Sequence, residues 1–262
     1  RVRDPGLGLS LIAVQSVGSA AGLAPEFLGR QIKLPATAFL HVHGGLDEFL
    51  DGELTATLEL HLGSDVSSVQ VGQERVPLEA DITAPLAHSL EDSLIWDFGT
   101  SGFLKSQLSG FEAGVYMLQP YQEGKVPLVL IHGTASSPAT WAQTINGLLA
   151  HWRVRSRYQV WLGLYNTGNP VLYSASILRE RLKELCAELD PQGVDSQLSN
   201  MVLVGHSQGG LVTRLLVSES GDRIWESALD EPFEVYSVEP EVRALVEKAL
   251  FFVPRRFGRR AV

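Results

Sequence analysis

The chain has a single cysteine, no apolar run long enough to span a bilayer, no excess of basic charge, and no histidine after position 206. Each shortage excludes something. With Cys186 alone there is no intrachain disulfide, no thiolate metal site and no Cys-x-x-Cys redox pair. That residue falls on the apolar face of an expected helix, where a buried, inert thiol is expected. A membrane-crossing helix needs roughly 18–20 consecutive apolar residues, and none occurs. Lys and Arg number 21 against 30 Asp and Glu, a formal net charge of −9. Nucleic-acid binders draw most of their affinity from clustered basic residues, so this balance argues against a nucleic-acid partner. The one basic cluster, Arg255, Arg256, Arg259 and Arg260, lies at the extreme end and is read as a solvated flank.

What is present is the composition of a packed globule: 262 residues, 45% hydrophobic and 19% charged. The stretch LGLSLIAVQSVGSAAGLA near the start fits either a strand or the tail of a secretion signal, which leaves the compartment open. From Ala36 to about Ala84 the apolar pattern has period two, in ATAFLHV, ELTATLELHL and SSVQVGQERVPLEAD, with glycine-containing turns between. Alternation broken by turn residues predicts antiparallel strands, and residues 69–78 predict a hairpin. A small β-rich module is therefore expected over 1–110, followed by a connection through TSGFLKSQLSGFEAG.

From Gly114 onward strands alternate with helices. VPLVLI, Val126–Ile131, is continuously apolar and suits a strand buried on both faces. Ser137-Pro138 supplies an N-cap and a first-turn proline, and Trp141, Ile145, Leu148 and Leu149 follow at helical spacing. YQVWLGLY, Tyr158–Tyr165, predicts the next strand. A helix is then predicted with an apolar face of Ile177, Leu178, Leu182, Leu185, Cys186 and Leu189. Its opposite face carries Arg179, Glu180, Lys183, Glu184 and Glu188. Met201–Val204 and Gln208 to about Glu219 complete a third strand and helix. The expected fold class is α/β, with a parallel sheet over 115–262.

In such a sheet, reactive groups collect at the C-terminal ends of the strands. There the sequence reads MVLVGHSQGGL, an apolar strand running through Gly205-His206-Ser207-Gln208-Gly209 into a helix. Strand, G-x-S-x-G and helix describe a nucleophile elbow: the serine takes a strained turn, and flanking glycines avoid Cβ clashes. Gly210 extends the small surface and is expected to let the helix pack close. Ser207 is the candidate nucleophile. Attack on a carbonyl builds an oxyanion that needs preorganised N–H donors. The Gln208 amide, opening the helix, is one. The loop after the earlier strand, His132-Gly133-Thr134, offers the Thr134 amide as the second, with Gly133 allowing the turn.

VPLVLIHGTASSPATW followed by NMVLVGHSQGGL resembles the α/β-hydrolase superfamily, in its lipase and serine-esterase branch, over about residues 115–220. The resemblance implies a partial α/β-hydrolase sheet with flanking helices, preceded by the β-rich addition. It implies acyl transfer through Ser207 by a Ser-Asp/Glu-His mechanism, without metal or organic cofactor, on a small-molecule or lipid ester. Ser207 becomes the nucleophile, and the amides of Thr134 and Gln208 the oxyanion hole.

One departure bears on the chemistry. The superfamily's order is serine, acid, histidine, and nothing after Ser207 is histidine. Asp222 and Asp230 follow, but Asp222 falls too early for the triad acid and reads as a solvated helix end. His132 is read as bracing the oxyanion loop and His206 as the variable residue of the elbow. The remaining expectation is that the acid and base lie beyond Val262. In support, EVRALVEKALFF predicts a helix and PRRFGRRAV the approach to a further strand, and the chain begins at Arg1 without methionine. Two other functions fit the same fold: a non-catalytic binding module, and an acyltransferase using the same serine. GDRIWESALDEPFEVYSVEP, with Trp225, Phe233 and Tyr236, reads as an anchored loop, a border of the acyl pocket, or a lid.

Overall fold

The computed structural model describes residues 1–16, 31–92 and 113–253. The TSGFLKSQLSGFEAG connection through Glu112, and the terminal arginine cluster, lie outside these. The chain forms two compact units: the described residues of Arg1–Ser93 with Ala142–Arg157, and those of Leu94–Trp141 with Tyr158–Val262.

In the first unit β1 (Arg3–Asp4), β2 (Leu9–Ser16) and β3 (Gln31–His43) lead into a short helix α1 (Leu46–Leu50). β4 (Thr55–Leu62), β5 (Ser68–Val71), β6 (Glu74–Pro77), β7 (Ala80–Asp81) and α2 (Thr83–Asp92) follow, with α3 (Ala142–Leu149) and α4 (Trp152–Arg155) from later in the chain. β2, β3 and β4 form an antiparallel sheet in that order. β5 and β6 make the expected hairpin, turning at Gly72 with φ +61°. The stretch near the start is thus a strand over Leu9–Ser16, though Leu9 and Val14 are exposed rather than buried. Helices α1 and α2 were not legible in the alternating pattern. Arg155 is buried and ties the unit together: it donates to the carbonyls of Leu149 (3.0 Å) and Ala150 (3.1 Å) and pairs with Asp4. Thr83 Oγ1 donates to Asn146 Oδ1 at 2.8 Å, fastening α2 to α3.

In the second unit β8 (Gly114–Met117), β9 (Val126–Ile131), β10 (Tyr158–Leu164), α5 (Val171–Leu189), β11 (Val202–Gly205), α6 (Gln208–Leu216), α7 (Arg223–Glu226) and α8 (Pro240–Leu250) build an α/β arrangement. The sheet order is β11-β9-β10-β8. β9 runs parallel to both neighbours, as expected, but β8 joins the edge antiparallel, so the sheet is mixed. All six residues of β9 are buried, the mark of a strand covered on both faces. Ser137 caps a single 3-10 turn, Pro138–Trp141, before α3; its Oγ accepts from the Ala139 amide at 3.3 Å.

Helix α5 departs from its expected faces at two positions. Arg179 is buried rather than solvated: its guanidinium donates to the carbonyls of Lys248 (3.1 Å) and Leu215 (3.3 Å) and lies 4.0 Å from the Phe252 ring centroid. It serves the last orphan carbonyls of α6 and α8, a use of arginine that periodicity does not reveal. Cys186 is only partly buried.

At the end of the sheet where β9 and β11 begin, Asp195 is a polar anchor. It accepts from the Tyr121 hydroxyl, from the Gly124 amide at 3.0 Å and from the Gln197 amide at 2.8 Å. Burial by itself would raise its pKa, but those bonds, the Tyr121 hydroxyl foremost, hold the carboxyl below the usual range. Burial, reinforced by that carboxylate, pushes the Tyr121 hydroxyl well above the usual tyrosine range. A depressed carboxyl pKa stabilises the fold above the unfolded value, about 3.9, and that contribution is lost as pH falls through the folded pKa. Asp195→Asn is therefore expected to lower stability by about 1–2 kcal/mol at neutral pH, with the difference shrinking below about pH 4. Urea unfolding of both proteins at the two pH values checks this; a difference that does not depend on pH contradicts it.

Candidate active site

The candidate site is built where β9 and β11 end side by side, with Gly205 paired to Ile131. The His206 amide continues the ladder, donating to the Ile131 carbonyl at 3.0 Å. The backbone then turns through Ser207 at φ +55°, ψ −123°, and α6 starts at the next residue. Only Ser207 and Ala135 among the described non-glycine residues have positive φ, and Ala135 lies in the loop after β9. Holding a non-glycine residue there costs on the order of 1–3 kcal/mol.

Glycines allow this turn because of what surrounds them. A Cβ on Gly209 would sit 2.5 Å from the His132 carbonyl oxygen, and one on Gly205 would be 2.5 Å from the Gly210 nitrogen. A Cβ on Gly133 would sit 2.9 Å from the Ser207 Cβ and 2.9 Å from the His206 carbonyl oxygen. Gly205, Gly209 and Gly133 are thus required by backbone contact. Gly210 is not: a Cβ there meets nothing nearer than 3.7 Å, so the close-packing role expected of it falls to Gly209.

The loop His132-Gly133-Thr134 meets the start of α6 directly. Thr134 Oγ1 donates to Gln208 Oε1 at 3.0 Å, and the Tyr165 hydroxyl donates to the His132 carbonyl at 2.9 Å. The Ala135 amide donates to Thr167 Oγ1 at 3.2 Å. The Gly209 and Gly210 amides turn back to the carbonyls of His206 and Ser207, whereas those of Thr134 and Gln208 take no backbone acceptor among the described residues. Tyr165 and Thr167 did not stand out in the sequence. Tyr165 closes the predicted strand YQVWLGLY, and that position at a strand end next to β9 is the only signal that marks it. Burial pushes its hydroxyl up to about 12, so it stays a donor throughout the ordinary pH range.

His132 is 1% exposed and stacks on the Tyr165 ring at 4.7 Å. Its Nδ1 donates to the Gly133 carbonyl at 3.1 Å and its Nε2 accepts from the Tyr165 amide at 3.4 Å. Burial depresses its pKa, leaving a neutral ring with both nitrogens engaged in holding the loop. His206 is exposed and meets the Trp141 ring edge-on at 6.4 Å. Ser207 is exposed, and its hydroxyl makes no hydrogen bond among the described residues. These are the two histidines of this unit, so the unit that carries Ser207 brings no imidazole to its hydroxyl.

Asp222 is exposed and precedes α7, its carbonyl accepting from the Glu226 amide at 2.9 Å. Trp225 packs against Phe233 (4.8 Å) and Tyr236 (5.3 Å), and Phe233 stacks on Phe251. A cavity of about 210 Å³ opens over Trp225, Phe233 and Phe251, and neither Ser207 nor Thr134 lines it. Among the described residues no His, Cys, Asp or Glu group is arranged to hold a metal ion, and no helix is long and apolar enough to cross a membrane.

Comparison with known proteins gives one distant relative, the abhydrolase domain-containing protein abhd-5.2 of Caenorhabditis elegans, 25% identical over 163 residues. The match takes in 61% of this chain and 36% of the relative, so the chain spans little more than a third of that protein's length. No family model matches, and no solved structure matches. With a mixed sheet flanked by helices, this similarity supports the α/β-hydrolase superfamily, at superfamily level, for the chain.

The glycine contacts make a sharp contrast testable. Gly209→Ala is expected to cost about 2–3 kcal/mol, because its methyl meets backbone that cannot yield. Gly210→Ala, also helical but unobstructed, is expected to be neutral or to stabilise by about 0.5–1 kcal/mol. Ser207→Gly relieves the positive φ and is expected to stabilise by about 1 kcal/mol. Denaturant melts of the three variants check the set; equal effects of the two alanines contradict the packing account.

Proposed function

We propose that the chain carries the nucleophile and oxyanion half of a serine hydrolase acting on carboxylic esters, those of lipids included. Ser207 Oγ attacks the ester carbonyl and forms an acyl-enzyme, the alcohol leaves with a proton, and water releases the acid. The amides of Thr134 and Gln208 stabilise the oxyanion; losing one such donor typically raises the barrier by about 3 kcal/mol. His132, Gly133, Gly205, His206 and Gly209 hold these groups in place. The observation that carries this reading is the left-handed backbone of Ser207, wedged between Gly133 and the start of α6 with its hydroxyl exposed. A turn costing about 1–3 kcal/mol persists where surrounding structure holds it, and such strain clusters at catalytic serines. The similarity to an abhydrolase domain-containing protein agrees with the chemistry class.

This reading needs a proton acceptor, and it assigns that part, with its acidic partner, to groups that the unit carrying Ser207 does not contain. The boundary 115–262 for the hydrolase portion belongs to the same proposal. Free imidazole then replaces the missing base. The 262-residue chain is expected to hydrolyse a p-nitrophenyl ester negligibly alone, since triad loss typically costs about 10⁴–10⁶ in rate. Added imidazole is expected to restore Ser207-dependent turnover above the Ser207→Ala background. Identical rates for the two proteins at all imidazole concentrations contradict Ser207 as nucleophile and favour a binding module; transfer of the acyl group to an added alcohol in preference to water favours an acyltransferase.

A further inference from the structure

The three-stranded sheet of the first unit presents its faces in reverse of the usual order. Its packed face is the mixed one. Thr37 is 1% exposed and donates to the Glu79 carbonyl at 2.5 Å, Lys33 is buried and donates to the His88 carbonyl at 3.0 Å, and Phe39 is buried beside them. The opposite face is apolar. From the Ala13–Leu34 pair to the Val42–Ala56 pair, every position on it along β2, β3 and β4 is Leu, Ala or Val. Ala36 on it is buried, but among the described residues Leu9 is 64% exposed, Leu58 65% and Leu60 70%, with Leu40 and Val42 exposed beside them. An antiparallel sheet ordinarily turns its apolar face to the core and its polar face to water.

At roughly 100 Å² for each of Leu9, Leu11, Leu40, Val42, Leu58 and Leu60, the sheet face offers on the order of 600 Å². Monomers seldom expose an apolar patch above about 300–600 Å², and a stable interface takes about 600–1,000 Å² from each partner. We infer that this face is the interface of a homodimer, two copies packing their β2-β3-β4 sheets face to face about a two-fold axis. Two observations select a second copy. The face carries no charge, so pairing it with itself buries none unpaired. The area reaches the lower end, about 600 Å², of what one partner gives to a stable interface. An anionic lipid surface fits poorly, because the chain has a net charge of −9.

Sedimentation equilibrium of the full 262-residue chain over about 1–100 μM tests this. The wild type is expected to dimerise, and Leu60→Glu to raise the dimer dissociation constant at least a hundredfold with unchanged far-ultraviolet circular dichroism. Thr57→Glu, an exposed position on the opposite face of β4, is expected to leave it unchanged and serves as the folding control. A wild type that stays monomeric throughout overturns the dimer, whether or not it binds phosphatidylcholine vesicles; so does a folded Leu60→Glu variant that associates like the wild type.

Discussion

The second unit depends on how closely two pieces of backbone approach at the end of its sheet. Gly209, in the first turn of α6, lies against the carbonyls of Ile131 and His132, and Gly133 lies against the backbone of His206 and the Cβ of Ser207. No residue with a Cβ fits at these positions. The contact fixes where α6 begins relative to β9, and so forces the chain to turn within one residue between β11 and the helix. Ser207 is that residue. Its positive φ is a consequence of the packing, and its exposure is a consequence of the φ.

Around this contact the polar groups are arranged to hold the loop after β9 and leave the serine free. Tyr165 and Gln208 grip it through the His132 carbonyl and the Thr134 hydroxyl. His132 spends both ring nitrogens on the loop and on the Tyr165 amide, and burial keeps it neutral. A histidine so engaged orients a loop; it does not shuttle protons. The sheet's other end is fixed by the Tyr121–Asp195 anchor, far along β9 and β11 from the serine. Rigidity at both ends is what a preorganised site needs.

Much of the second unit could be read from residue order. The uninterrupted apolar run of β9, the strand running into G-x-S-x-G and the amphipathic pattern of α5 each report burial on a defined number of faces, which periodicity detects. The tight turn at Ser207 was legible because Gly205 and Gly209 carry a steric requirement. What escaped depends on direction or on partners. Strand direction is not encoded in period, so the antiparallel β8 could not be foreseen. Arg179 sits among charged residues in sequence yet is buried, because its stem and fork reach carbonyls supplied by two other helices. Gly210 reads like its neighbour Gly209 but faces open space. In the first unit the alternation marked strands correctly, yet could not tell that the leucine face would be the exposed one.

The central claim is that the contact between Gly133 and the elbow presents Ser207 as an acyl acceptor. Peptide mapping by mass spectrometry after reaction with a fluorophosphonate tests it most directly, since the probe reads the serine itself and does not require turnover. With imidazole added as the base, the account predicts a single phosphonyl adduct on Ser207, strongly diminished in Gly133→Ala, where the added methyl would displace the serine. An adduct on another residue, or none with added imidazole, would contradict it.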